Sequence, residues 1–266
     1  MSPLSRGMRH PPAGLRLGIP AAVALAVIVV PLGALLARTD WAALPAHLSQ
    51  PSVVPAVRLS ALTTLTTTAI SIVVGTPLAW LLSRATHPAA AWIRAVVTVP
   101  LVLPPVVGGV ALLMAYGRNG VVGRPLDTVF GITVPFTPVA VVLAETFVAM
   151  PFYVVAVEGA MRSVDRRFDD IAATLGASPW RAFTRVAVPM AAPGVAAGAA
   201  LAWARALGEF GATITFAGNF PGRTQTAPLA VYTALEQSPE AAVALSVAML
   251  LVCVVVLGAL RGRWAR

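Results

Sequence analysis

"DDIAATLGASPWRAFTRVAVPM", Asp169 to Met190, sets paired carboxylates, two arginines and a Gly-Ala-Ser-Pro turn between two long apolar runs. Phe168, Ile171, Ala172 and Leu175 recur at i, i+3, i+4 and i+7, one apolar stripe on a short helix. Ser163 or Asp165 can cap its start, and Gly176 can end it in the left-handed conformation. Ser178 and Pro179 then supply the N-cap and first residue of a second short helix, from which Trp180 and Phe183 project one turn apart. Val188-Pro189 leads back into apolar sequence. Residues 159–185 thus read as helix, glycine turn, helix: a polar elbow outside any lipid-spanning segment. Two fates suit such a segment. It can lie in the membrane interface as a connector, or seat in a groove on a soluble partner.

The whole chain is 58% hydrophobic and only 11% charged, far from the usual composition of a soluble domain. Six apolar stretches are long enough to cross a bilayer, at roughly 17–37, 57–83, 91–117, 133–158, 186–209 and 239–260. The expected class is therefore an all-α, multi-pass membrane protein. The first stretch exceeds a signal-peptide core and "LLARTDW" makes a poor cleavage site, so a retained helix is expected. Threading six spans from an inside N-terminus puts thirteen of the nineteen arginines on one side and five on the other, with Arg205 inside a span. That bias predicts both termini in the cytoplasm. The net charge of +9 does not point to nucleic acid, because the arginines are spread over one membrane face and form no stripe.

All nineteen basic residues are arginine. A phosphate-cradling loop of the Walker type needs a lysine, so any ATPase that drives this protein is a separate polypeptide. Cys253 is the sole cysteine, which rules out a disulfide within the chain. His10, His47 and His87 fall outside the spans, and no catalytic constellation, cofactor motif or metal-ligand spacing is evident.

Charges at membrane depth need a partner or a reason. Glu145 falls near the middle of span four, where an ionised carboxylate would repel a passing oxyanion; pairing, protonation or a turn away from the pathway is expected. Arg205 and Glu209 are one turn apart near the outer end of span five and can form an i,i+4 pair that fixes an outer gate, or Arg205 can meet the anion itself. The hydroxyls of Thr63, Thr64, Thr66, Thr67, Thr68 and Ser71 either line a pathway or bond back within the bundle. Gly194 and Gly198 form a small-xxx-small pair that permits close helix approach. Pro100, Pro104 and Pro105 with Gly108 and Gly109 must bend or break span three, which makes that span a gate candidate. Residues 210–238 read as a long outer loop in which Arg223, Thr224, Gln225 and Thr226 present donors and a positive charge.

The elbow resembles the cytoplasmic signature of ABC importer permeases. That signature is Glu-Ala-Ala, a Gly four residues after the second Ala, and a closing Ile-x-Leu-Pro. Here Asp170-Ile171-Ala172, Gly176 and Val186-Ala187-Val188-Pro189 keep every spacing, with Asp for Glu, Ile for the first Ala and Val at both apolar places. "PLVLPPVVGGVALLMAYGRNG" (Pro100–Gly120) and "ARALGEFGATITFAGNFPGRTQTAPLAVY" (Ala204–Tyr232) are similar to molybdate importer permeases. Sulfate and thiosulfate permeases share the Arg-Ala-x-Gly-Glu-aromatic-Gly opening, whereas "GRTQTAPL" is more like the molybdate branch.

The resemblance implies a type I ABC importer permease fold in the bacterial inner membrane. It implies an N-terminal tail (1–16), a first span (17–37) and a transmembrane domain (57–260), with a coupling helix at about 163–185. It further implies a homodimer with the pathway between two copies, a cytoplasmic ABC ATPase docked on the elbow, and an extracytoplasmic molybdate-binding protein. The coupling residues would be Asp170, Ile171, Ala172, Gly176, Val186, Val188 and Pro189. Pro104, Pro105, Gly108, Arg205, Glu209, Arg223 and Thr224 are the gate or pathway candidates. Sulfate, thiosulfate or tungstate transport is the near alternative, and a proton-coupled carrier that uses Glu145 is the distant one.

Overall fold

Proline and glycine decide where the helices of this chain stop. The computed structural model describes residues 14–264 apart from Ser52, so most of the expected 1–16 tail, with Arg6, Arg9 and Arg266, lies outside the described residues. The described elements are all helical: α1 (Gly14–Ala37), α2 (Leu44–Leu48), α3 (Val53–Arg84), α4 (Ala89–Val102), α5 (Pro105–Tyr116), α6 (Gly123–Phe130) and α7 (Pro138–Ser163), then the elbow helices α8 (Arg167–Thr174), α9 (Pro179–Ala182) and α10 (Val188–Met190), and finally α11 (Ala192–Leu207), α12 (Gly211–Phe216), α13 (Ala227–Gln237) and α14 (Pro239–Trp264).

Four helices are long and apolar enough to span a bilayer, and two bent pairs bring the number to six. In the first pair α4 meets α5 at 117°; in the second, residues 179–190 meet α11 at 76°. The 117° break follows from local chemistry. Leu103 and Pro104 each precede a proline and are pushed into extended backbone, at ψ 129° and 132°. Pro105 then starts α5 as its first residue. Pro100, by contrast, is absorbed inside α4.

Two boundaries differ from the sequence expectation for the same reason, that local caps outrank hydropathy. Span two begins at Val53 rather than 57, because Pro55 falls in the first turn, where a missing amide costs nothing. Span four begins at Pro138 rather than 133, because Thr137 caps it, its side chain accepting from the Ala140 amide at 3.3 Å. A larger correction concerns residues 210–238. They are not an open loop but two helices, α12 and α13, joined through the turn at Gly218–Gly222. The turn signals were real, but the segments between them find apolar partners to pack against.

The bundle core is the contact of α3, α7 and α11. Tyr153 of α7 fills its centre, fully buried, with its hydroxyl 2.6 Å from that of Thr76. Gly75 of α3 and Gly198 of α11 make room for it. A Cβ at Gly75 would stand 2.8 Å from the Tyr153 ring, and one at Gly198 would stand 2.9 Å from Val157. The small-xxx-small pair Gly194/Gly198 thus serves packing against α7, where Ala160 meets Gly194. In contrast, no residue of the 17–37 stretch of α1 is buried, and the helix touches chiefly α14. Tyr153→Ala should lower stability by about 3 kcal/mol through the cavity it leaves, since the Thr76 hydroxyl keeps its bond to the Ile72 carbonyl. Tyr153→Phe should cost only about 1 kcal/mol. Unfolding midpoints of the purified protein check both.

Candidate functional site

The elbow is built on reciprocal capping of two helix ends. The last carbonyls of a helix have no internal donor. Arg84, the last residue of α3, donates through Nη1 to the carbonyls of Met161 and Val164 at the end of α7, at 3.3 and 3.4 Å. Arg166, just before α8, donates through Nη2 to the Ser83 carbonyl at the end of α3, at 3.2 Å. The Nε of Arg84 also stands 2.8 Å from Oδ2 of Asp169, in the first turn of α8, where a carboxylate suits the helix dipole. Both partners are largely shielded from solvent, with side chains 15% and 22% exposed. One arginine therefore ties α3, α7 and α8 together. Sequence reasoning missed it; the available signal was an arginine closing an apolar span immediately before "ATHP".

Asp165 closes a turn one residue ahead of the α8 N-cap position, which Arg166 occupies without a side-chain cap; its Oδ1 accepts from the Arg167 amide at 2.9 Å. The other capping candidate, Ser163, does not cap the helix either, because its hydroxyl is spent on the Ala160 carbonyl at 2.7 Å. The end of α8 is a Schellman turn. Gly176 sits at φ +78°, Ala177 donates to the Ala172 carbonyl at 2.9 Å, and Gly176 donates to Ala173 at 3.0 Å. Ser178 caps α9, its hydroxyl accepting from the Arg181 amide at 3.4 Å. The helix then widens into a π turn over Phe183–Ala187. Pro189 has no amide to give the carbonyl of Arg185, and Val188 donates instead to Phe183, five residues back.

The apolar stripe does not face the bundle. Phe168, Ile171 and Leu175 are exposed, Leu175 by 81%, and only Ala172 is buried. Trp180 and Phe183 stay in contact, ring centroids 5.4 Å apart, but differ in burial: Trp180 is 67% exposed, while Phe183 is buried with its ring centroid 5.2 Å from that of Trp80. Asp170 is exposed beside this patch, Val186 and Val188 are half-buried, and Pro189 is exposed. The elbow is thus pinned from above by Arg84 and Phe183 and presents an uncovered apolar surface below, the kind that marks a contact site.

The second cluster lies where span three breaks. Gly108 and Gly109 let α5 approach two neighbours: a Cβ at Gly108 would reach within 3.0 Å of Phe147 on α7, and one at Gly109 within 2.9 Å of the Ala212 carbonyl on α12. A Cβ at Gly211 would come within 2.8 Å of Pro105. Glu209 caps α12, its Oε1 accepting from the Ala212 amide at 2.8 Å, and its Oε2 pairs with Arg205 at 2.8 Å. The predicted i,i+4 pair therefore forms, and Glu209 holds the short helix that leans on the Pro104-Pro105 break. Arg205 also lies 6.0 Å from the centroid of the Phe152 ring.

Arg223 and Thr224 belong elsewhere, in the turn before α13. Arg223 is exposed, but Thr224, Gln225 and Thr226 are buried, which corrects the expectation of an outward row of donors. Thr224 is turned inward because its hydroxyl closes the turn, accepting from the Phe220 amide at 3.1 Å. Glu145 is buried between helices and accepts from Thr63 at 2.8 Å and Thr67 at 3.1 Å. Thr64, Thr66, Thr68 and Ser71 bond back to carbonyls four residues earlier, so the hydroxyl-rich span is chiefly occupied with its own helix and with Glu145.

Known proteins resemble this arrangement throughout its length. The Molybdenum transport system permease protein ModB of Mycobacterium tuberculosis is 44% identical over 252 residues, 94% of this chain and 95% of that protein. The protein of the same name from Escherichia coli K12 is 47% identical over 158 residues, 59% of this chain and 69% of its own. A solved bacterial alginate ABC transporter, in complex with an alginate-bound periplasmic protein, shares the fold at a TM-score of 0.71 and 14% identity, covering 92% of this chain and 91% of that one. The family model described as binding-protein-dependent transport system inner membrane component matches residues 71–263, and the chain belongs to that family of membrane transport components.

Proposed function

We propose that this protein is the membrane-spanning permease subunit of an ATP-driven importer that carries molybdate into the cytoplasm. The observation that carries the reading is identity of 44% across 95% of a mycobacterial molybdenum permease, a span that includes the elbow, the broken helix and the α12 region. It is a transport subunit and not an enzyme, and hydrolysis belongs to a separate ATPase, in keeping with a chain that contains no lysine.

In this reading two copies form the pathway between them, with residues 57–260 as the transmembrane domain and the 17–37 helix set apart from it. The elbow faces the cytoplasm, as do both termini, and a soluble ABC ATPase docks on its exposed Phe168, Ile171, Leu175 and Trp180 surface. Asp170, Ala172, Gly176, Val186, Val188 and Pro189 shape that coupling element. An outer binding protein delivers the oxyanion. Motion of the elbow reaches α3 through Arg84 and Asp169, and reaches α7 through the same arginine. Pro104, Pro105, Gly108, Arg205 and Glu209 form a gate at the seam of α5 with α12, and Arg223 and Thr224 belong to a separate outer turn before α13. The bend of 117° at the diproline supports a hinge there.

Vesicles holding this permease with its ATPase and binding protein should accumulate labelled molybdate only with ATP. Excess unlabelled sulfate should leave uptake largely intact; equal competition by sulfate would reassign the cargo. Glu145→Gln should retain most of that uptake, because the amide still meets Thr63 and Thr67, whereas a proton-coupled carrier that relies on Glu145 would lose it. Ile171→Asp changes an exposed site and should leave membrane insertion intact while weakening ATPase co-purification by about thirtyfold or more. Asp169→Asn should lower uptake by about tenfold while the ATPase stays bound, since it cuts the elbow from α3 without touching the docking surface.

A further inference from the structure

Arg94 and Arg162 converge on one carboxylate oxygen. Nε of Arg94 lies 2.6 Å and Nη2 of Arg162 lies 2.7 Å from Oε1 of Glu158. Arg94 donates through its Nη2 to the Leu82 carbonyl as well. Two cations thus share one anion, and the group keeps a net positive charge. The Glu158 side chain is nearly buried at 10% exposure, whereas that of Arg162 is half exposed and has unspent donors among the described residues.

The three side chains line a cavity of about 260 Å³ between α3, α4 and α7, at the end of the bundle that carries the elbow. Val97 and Val155 supply an apolar wall. Gly159 borders the same cavity from the middle of the last turns of α7. Glycine weakens a helix relative to alanine, and here no packing demands it: a Cβ at this position would meet nothing within 4 Å. The missing side chain leaves the cavity open. Outside it, α4 exposes Trp92, Ile93, Val96 and Val99, an apolar strip with a tryptophan at its end, as found at the headgroup level of a bilayer.

We propose that the Arg94–Glu158–Arg162 cavity is a binding site for a phosphate-type oxyanion group. A basic pocket between transmembrane helices with lipid-facing walls suits the phosphate of an anionic phospholipid, and the free ion offers the same chemistry. Glu158 holds the two guanidinium groups in place, and the spare donors of Arg162 with the surplus charge receive the ligand. The site is separate from the elbow contact surface and from the diproline break, and it does not depend on which oxyanion is transported.

Native mass spectrometry of the purified full-length chain, exchanged into equal phosphatidylglycerol and phosphatidylcholine, tests it. The wild-type protein should retain phosphatidylglycerol about fivefold over phosphatidylcholine. Arg162→Gln removes one cation and leaves the Arg94–Glu158 pair, and Gly159→Leu fills the cavity without altering charge. Both should bring the ratio close to one while the unfolding midpoint stays near that of the wild type. Loss of the lipid on adding millimolar inorganic phosphate would assign the site to the free ion; retention would assign it to the headgroup. An unchanged preference in both variants overturns the proposal, and so does a wild-type protein that shows neither lipid preference nor phosphate binding.

Discussion

In hydrocarbon each unpaired backbone amide or carbonyl costs several kcal/mol, so a membrane protein can interrupt a helix only where protein takes over the lost hydrogen bonds. This chain interrupts span three at Leu103–Pro104 and span five at both of its ends. Two consecutive prolines at the first break carry no amide hydrogen, so the interruption creates few donors to satisfy. At the far end of span five, Glu209 supplies the acceptor that the first turn of α12 lacks. The near end widens into a π turn, so that Val188 finds the Phe183 carbonyl despite the proline that follows. Glycines at 109 and 211 bring the interrupted pieces into backbone contact, and Gly108 lets the Phe147 ring close against α5.

The same economy governs charge. Within the bundle, the carboxylates of Glu145 and Glu209 are engaged by neighbouring donors, and Arg205 is neutralised one turn from its partner. No free cation therefore waits in α11 to trap a divalent oxyanion, which suits passage better than tight binding. At the elbow end, charge fixes position instead. Arg84 spends its guanidinium on two carbonyls of α7 and one carboxylate of α8, so a displacement of the elbow is felt by both spans at once. Phe183 against Trp80 adds an apolar contact on the other side of the turn. A short segment held at two points is fixed in its orientation to both spans, and so is the apolar surface it presents.

Much of this was legible in the residues. Hydropathy defined six spans, the arginine distribution suggested a sidedness, and the absence of lysine excluded a resident nucleotide loop. Gly176, Ser178 and Pro179 placed the elbow turn and its second helix correctly, because capping and positive φ are properties of a few neighbouring residues. The diproline with Gly108 and Gly109 announced a break for the same local reason. Arg205 and Glu209 paired as their spacing dictated.

Other features depended on partners far along the chain. Whether Thr224 faces outward, whether residues 210–238 fold into α12 and α13, and whether Phe183 or Trp180 is buried were settled by surfaces supplied by distant helices. Arg84 looked like one more arginine in a positive flank until Met161, Val164 and Asp169 came within its reach. Arg94 and Arg162 are separated by most of spans three and four, yet one carboxylate gathers them. Sequence alone determined the apolar spans and the places where proline and glycine interrupt them, since those follow from side-chain hydropathy and backbone chemistry over a few residues. Only the tertiary structure decided which polar groups meet, because a hydrogen bond or ion pair across the bundle is a matter of distance in space, and spacing along the chain does not encode it.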